Sequence, residues 1–180
     1  MKEKTKKIVK TSVFATIVAG ALIVVYLTFK SNVNKEDAER YKSPYFTVED
    51  MFKSHTARVK SIDNTTTDKE TLLNIHALFM KVLDPVRKRF GRDFTINSGY
   101  RSAQLNKAVG GASSSQHMKG EAADIDAGSR DENRRLFELI RELGVYDQLI
   151  DESGYKWVHV SYKRIGYNRN QILHKEYEKG

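Results

Sequence analysis

The chain has no cysteine among its 180 residues. Disulfides and thiolate metal sites are therefore excluded, and any zinc would have to be held by nitrogen and oxygen. An extracytoplasmic domain that dispenses with disulfides fits this composition, and so does a cytosolic chain. Internal repeats and long low-complexity tracts are also absent. The run Gly110-Gly111-Ala112-Ser113-Ser114-Ser115 lacks the Lys-Ser/Thr pair of a phosphate-binding loop, so it reads as a flexible connection. Positive charge is scarce where a nucleic-acid partner would need it. Of the net +8, residues 1–30 carry +5 through six lysines against one acid, leaving 25 basic and 22 acidic residues elsewhere. Most of the basicity thus belongs to the N-terminus, and no nucleic-acid partner is expected.

What the N-terminus does contain is an uncharged apolar run from Ser12 to Phe29, preceded by Lys2, Lys4, Lys6, Lys7 and Lys10 and closed by Lys30. Eighteen helical residues rise roughly 27 Å, close to the thickness of a bilayer core of about 30 Å. A cleaved signal peptide would have a shorter apolar core ending in a small-x-small site, whereas this run ends Val25-Tyr26-Leu27-Thr28-Phe29. The reading is an uncleaved single-pass anchor with its basic flank in the cytoplasm and the rest of the chain outside. This gives three parts: a basic start and anchor over residues 1–30, a polar linker over 31–43, and a domain over 44–180.

Within the domain, Thr47-Val48-Glu49-Asp50 marks a helix start, with the helix running to about Lys60. Thr67-Asp68-Lys69-Glu70 reads as a fuller capping box ahead of Leu72, Ile75, His76, Phe79, Leu83, Val86 and Phe90 at helical spacing. Pro85 is expected to kink or interrupt that helix late. Strands are expected over Asp93 to Ser98, Ala122 to Asp126, Gln148 to Asp151 and Lys156 to Tyr162, and an amphipathic helix over Asp131 to Leu143. Helices first and strands later predict an α+β fold with a small, largely antiparallel sheet.

The chemistry concentrates in His117, Asp124 and His159. Six residues separate the first pair, and His159 follows Asp124 by 35 positions. Two histidines and an aspartate form the donor set of a catalytic zinc site, whose fourth position is left open for water. Taken singly, His117 is an ordinary loop histidine and His159 a strand histidine. His76 lies on an apolar helical stripe, while His55 and His174 stand among charged residues. The serines at 113–115 beside His117 could mimic a serine–histidine pair, but a histidine that ligates a metal cannot also act as a general base.

Four separated blocks extend this pattern. They are Ser98-Gly99-Tyr100-Arg101-Ser102, then Leu105-Asn106 with Ala108-Val109-Gly110-Gly111, then Ser115 to Asp124, then Trp157-x-His159-x-Ser161. Together they resemble the zinc D-Ala-D-Ala carboxypeptidase family, which shares the hedgehog/D,D-peptidase fold, and in particular its short phage and prophage members. The resemblance runs roughly from Tyr45 to Glu178. It implies one Zn²⁺ per chain held by His117, Asp124 and His159, and cleavage of D-amino-acid-containing peptidoglycan stem peptides or cross-bridges. It further implies that Arg101 stabilises the developing oxyanion and that Ser115 binds substrate. Tyr100 and Trp157 are candidates for either the cleft wall or the core, and Asp126 for a support of the ligands or a cap of the next helix.

The sequence departs from the family pattern at one point. Many members place a catalytic acid three residues before the second histidine, and here that residue is Lys156. A lysine cation cannot accept a proton. The resemblance to short members, which carry an acid after a run like Gln148-Leu149-Ile150, points to Glu152 as general base, with Asp151 and Asp147 as alternatives. A turn through Ser153-Gly154 would have to fold Glu152 back toward His159. If no acid reaches the site, the alternative is a zinc-containing module that binds wall peptide without cleaving it.

Overall fold

The computed structural model of the chain describes residues 43–176. The anchor expected over residues 1–30, and the linker as far as residue 42, lie outside the described residues. Among the described residues, no helix is long and apolar enough to cross a membrane.

Helices come first, as expected, but their boundaries are set by local side-chain competition. Helix α1 (Val48–Phe52) starts at Thr47, whose backbone N–H donates to the Asp50 carboxylate at 2.8 Å. It does not run on to Lys60. Lys53 is extended, and Ser54 begins a second helix, α2 (His55–Val59), by accepting the Ala57 N–H. A serine offering its oxygen to the backbone favours a new N-terminus over continuing the old helix. Helix α3 (Lys69–Leu78) starts one residue later than the capping box implied. Asp68 caps it, its carboxylate accepting both the N–H and the hydroxyl of Thr71 at 2.8 Å. A charged acceptor makes the stronger bond here.

The interruption expected at Pro85 takes the form of a wide turn. Phe79–Leu83 is π-helical, and the Asp84 N–H reaches five residues back to the Phe79 carbonyl. Pro85 then sits in the first turn of α4 (Asp84–Phe90), where its missing N–H and fixed φ are tolerated.

The sheet contains β1 (Thr95–Ser98), β2 (Ala122–Asp126), β3 (Gln148–Glu152), β4 (Trp157–Ser161) and β5 (Gln171–Lys175), in the order β1-β2-β4-β3-β5. Three of its four joins are antiparallel, and β5 lies parallel to β3. Two further elements were not expected: α5 (Ala103–Ala108), capped by Ser102, and β5 itself. Strand β5 is an exposed edge without clean alternation, which is why its sequence carries little strand signal. The amphipathic helix α6 (Arg130–Leu143) agrees with the expected one to within a residue.

Alternation divides the sheet into two faces. Ile96, Ala123, Ile125, Leu149, Val158 and Val160 are buried against Phe79, Val82 and Val86 of the long helical segment and Leu136, Phe137 and Ile140 of α6. The opposite face carries Asp124, Ile150, Glu152, Trp157 and His159, and these residues line an open cleft.

One buried group works against stability. Asp84 is 7% exposed, and neither carboxylate oxygen has a hydrogen-bond partner. Burial pushes its pKa from 3.8 up to about 6; the Ser43 hydroxyl beside it lowers it only in part. The folded chain therefore holds this proton more tightly than the unfolded one. The contribution is fully present below pH 3.8 and is lost as pH rises through about 6. Replacing Asp84 by Asn should raise Tm at pH 7.5 by about 5 °C and leave Tm at pH 4 nearly unchanged. Thermal unfolding across that range checks this, and an Asp84→Asn variant no more stable than wild type at pH 7.5 would refute it.

Candidate metal centre and cleft

His117 sits on a single 3-10 turn, Gln116–Lys119, closed by Gly120 in left-handed backbone at φ 69°. A Cβ at Gly120 would lie 2.7 Å from the Thr71 carbonyl oxygen, so the close approach to α3 also requires glycine. The ring is almost wholly buried, and its Nδ1 is 2.6 Å from the Gly99 carbonyl oxygen. A carbonyl only accepts, so Nδ1 carries the hydrogen and Nε2 presents a lone pair. Gly99 can approach because it has no side chain: a Cβ there would stand 2.7 Å from the Met51 Cα. The Arg101 N–H donates to the His117 carbonyl at 3.1 Å, tying the turn to the loop after β1.

The other two donors come from the sheet. Asp124 in β2 stands directly opposite His159 in β4, so both project from the open face at the same level. His159 Nδ1 is 2.8 Å from Asp124 Oδ1, His117 Nε2 is 3.3 Å from His159 Nδ1, and His117 Nε2 is 3.4 Å from Asp124 Oδ1. Zinc bonds of 2.0–2.1 Å in a tetrahedron give donor–donor separations of about 3.3 Å. The three donors therefore fit zinc. A bare Nε2 lone pair aimed at a carboxylate oxygen is unfavourable unless a cation lies between them.

The electrostatics agree. Burial pushes the His117 imidazole down, in the direction of the neutral form that ligation requires. Burial alone would raise the Asp124 carboxyl, but His117 and His159 beside it hold it well below the usual carboxylate range. Its second oxygen, Oδ2, accepts a 2.6 Å bond from Arg101 Nη2, and Arg101 Nε donates to Ser98 Oγ at 2.9 Å. Arg101 thus favours the ionised ligand through a charge-assisted bond.

The cleft around these residues holds about 700 Å³, with Arg101 and Ser115 in its walls. Ser115 precedes the 3-10 turn, and its hydroxyl makes no capping bond there. Glu152 also lines the cleft. Strands β3 and β4 form a hairpin in which Ile150 faces His159 and Glu152 faces Trp157. The turn passes through left-handed backbone at Ser153, Gly154 and Tyr155 and closes with Lys156 N–H on the Glu152 carbonyl at 2.9 Å. Glu152 is thereby diagonal to His159 on one face, a pair typically about 7–8 Å apart along the backbone and within side-chain reach. It is 5% exposed, and its Oε2 has no hydrogen-bond partner.

The competing acids are placed elsewhere. Asp151 points to the other face, where it accepts the Tyr155 N–H and approaches His174 at 3.3 Å. Asp147 is fully buried and held by Arg169 and Lys163, its carboxyl kept low, against the effect of burial, by those cations. Asp126 accepts from Gly128 N–H and Asn133 Nδ2, so it supports the entry to α6, whose cap is Ser129. Lys156 is exposed in the hairpin turn, its ammonium 5.8 Å from the Trp157 ring centre. Trp157 lines the cleft, whereas Tyr100 packs edge-on against Phe52.

Two asparagines escaped the sequence analysis. Asn64, 5% exposed, donates to the Phe52 and Tyr100 carbonyls and accepts the Ser102 N–H, clamping the loop that carries Arg101. Asn133, 1% exposed, donates to the Tyr155 and Lys156 carbonyls and pins the hairpin beneath Glu152. Neither lies in a pattern that marks a buried clamp, because an asparagine in a polar stretch is usually solvated.

Residues 44–161 match the peptidase M15 family. The chain belongs to this family. Over 49 residues it is 49% identical to the zinc D-Ala-D-Ala carboxypeptidase of Streptomyces albus G. That stretch is 27% of this chain and 19% of the relative, so it spans about a fifth of the relative's length. Within the stretch matched by this family, His117, Asp124 and His159 form a buried group that could hold a metal ion. The family match stops at Ser161, short of the Glu178 expected, so the loop after β4 and strand β5 lie beyond it.

The domain should bind one zinc per chain, and His117→Ala, Asp124→Ala and His159→Ala should each lose most of it. Elemental analysis after dialysis checks this; wild-type metal content in any of the three would overturn the ligand set.

Proposed function

We propose that the chain is a membrane-anchored zinc peptidase that cleaves D-amino-acid-containing peptidoglycan peptides, as a D,D-carboxypeptidase or an endopeptidase. The observation that supports this most is the buried, unpartnered Glu152 oxygen facing the cleft diagonal to His159. A buried acceptor without a partner is costly, and at a reactive site it marks the place of a missing water or substrate group.

Zinc at such a site lowers the pKa of water toward 7 and polarises a carbonyl. The protein's own groups supply the rest. Glu152 takes the proton from the attacking water as its oxygen bonds to the scissile carbonyl carbon. The same carboxyl returns that proton to the amine nitrogen as the C–N bond breaks. Arg101 keeps two donors on Ser98 and Asp124 and has guanidinium hydrogens left to meet negative charge on the carbonyl oxygen. Ser115 offers a hydroxyl, free of capping duty, to the bound peptide. The name of the Streptomyces relative supports a D-Ala-D-Ala terminus as the substrate class. The lysine-rich start and uncharged run support a single pass through the cytoplasmic membrane, with the catalytic domain on the periplasmic or cell-wall side.

A non-catalytic module that binds wall peptide is the second reading, and Lys156 at the usual place of the acid is what favours it.

Glu152→Gln should retain zinc but lower kcat on defined muropeptides by at least about 10²-fold, the lower end of general acid–base contributions. Lys156→Ala should change kcat far less. Near-normal turnover in Glu152→Gln, read by mass spectrometry of the products, would remove Glu152 from the role, and no turnover by wild type would favour the binding module. For topology, protease added to spheroplasts should remove the domain and spare a short N-terminal fragment; full protection would reverse the orientation.

A further inference from the structure

The cleft has a wall that the family match does not include. Lys163, Arg169 and Lys175 line it from the segment after Ser161. Two of these cations are engaged. Lys163 and Arg169 both pair with the buried Asp147, and the Arg169 guanidinium meets both oxygens of that carboxylate. Lys175 differs: among the described residues its ammonium makes no ion pair or hydrogen bond, and its position on β5 is in register with Glu152 on β3. In-register neighbours of a parallel pair project from the same face, so Trp157, Glu152 and Lys175 form one row across β4, β3 and β5.

We propose that Lys175 recognises a free carboxylate of the bound peptide, two to three residues from the scissile bond. Strand geometry sets that distance. Lys175 is two strands from His159, about 9.6 Å across, and two residues along, about 6.7 Å, giving about 12 Å between backbones. The flexible lysine stem brings the charge inward from there. An extended peptide advances about 3.3 Å per residue, so the ammonium meets a group two or three residues from the reaction centre. Among the described residues the cation pairs with neither Glu152 nor any other acid, which suits a partner that arrives with the substrate. This inference rests on the peptidase reading of the cleft and names the chemistry of what it takes.

The test uses the full-length, zinc-loaded chain in detergent and D-Ala-D-Ala-terminated peptides whose scissile amide is reduced to a methyleneamine, so that binding is measured without cleavage. Three peptides are compared: one with an internal side carboxylate and a free C-terminus, one with the side carboxylate converted to carboxamide, and one with the C-terminus amidated. In wild type at low salt, side-chain amidation should weaken binding about three- to tenfold, the range of a partly desolvated ion pair. The effect should shrink in 0.5 M salt. Lys175→Met should abolish the difference and Lys175→Glu should reverse it. If only C-terminal amidation shows the Lys175-dependent loss, the carboxylate recognised is the terminal one beside the scissile bond, and the proposal is overturned. Equal amidation effects in wild type and Lys175→Met would overturn the proposal. Binding with the expected preference but no hydrolysis of the ordinary peptides would instead remove the peptidase reading and leave the Lys175 contact standing.

Discussion

The antiparallel register of β2 and β4 is the constraint on which the rest of the site depends. Asp124 and His159 meet because they are paired across two hydrogen-bonded strands. Side chains alternate between faces, so a slip of one residue in either strand would send its donor into the apolar core and bring Ala123 or Val158 to the cleft. That register is held by burial on the far side: Ala123, Ile125, Val158 and Val160 are inaccessible and pack against the helices. The core therefore does more than stabilise the domain. It selects the strand pairing that brings two donors together, and the cost of exposing those side chains protects the metal centre.

The third ligand and the assisting groups are attached to this frame by polar clamps. The Gly99 carbonyl selects the His117 tautomer that leaves Nε2 free to ligate, and that carbonyl can be so close only because Gly99 packs on Met51 without a side chain. Asn64 holds the same loop and Asn133 holds the hairpin turn, each by bonding to backbone groups far away in sequence. Such buried amides are costly when half-satisfied and rigid when satisfied, which suits a catalytic site that tolerates only about 0.5 Å of misplacement. Arg101 links the two systems, with one bond to the loop at Ser98 and one to the ligand at Asp124.

Much of this was legible in the sequence, and the reasons are local. The candidate triad stood out because the four separated blocks resemble one family, and the alternation around His159 placed that residue on a half-buried strand. Strand β2 and helix α6 were clear for the same reason of period. Less legible were features decided by competition between equally good local signals. Asp68 and Thr67 both offer a cap, and Ser54 divides a helix that hydrophobic spacing would have continued. Strand β5 was hidden because an edge strand exposed on both sides needs no alternation, and its parallel partner is more than twenty residues away. The asparagine clamps were invisible because their partners are backbone carbonyls, which have no sequence identity.

The proposed role of Glu152 would supply from a different strand the chemistry that Lys156 cannot. In a hairpin, the position diagonal to a residue on the neighbouring strand lies about as near to it as positions two along its own strand. In the proposed function, an acid on β3 keeps its reach to His159, provided that the turn fixes the register between the strands. Here the turn takes left-handed backbone at Ser153, Gly154 and Tyr155, costly at the two non-glycine positions. Asp151 accepting the Tyr155 N–H and Asn133 bonding the Tyr155 and Lys156 carbonyls hold that conformation in place. The residue at 156 falls in the turn and is exposed, so a lysine there meets no buried charge and costs little. Under that proposal, the strand pairing, which sets Glu152 on the same face as His159, is what offsets the lysine at 156.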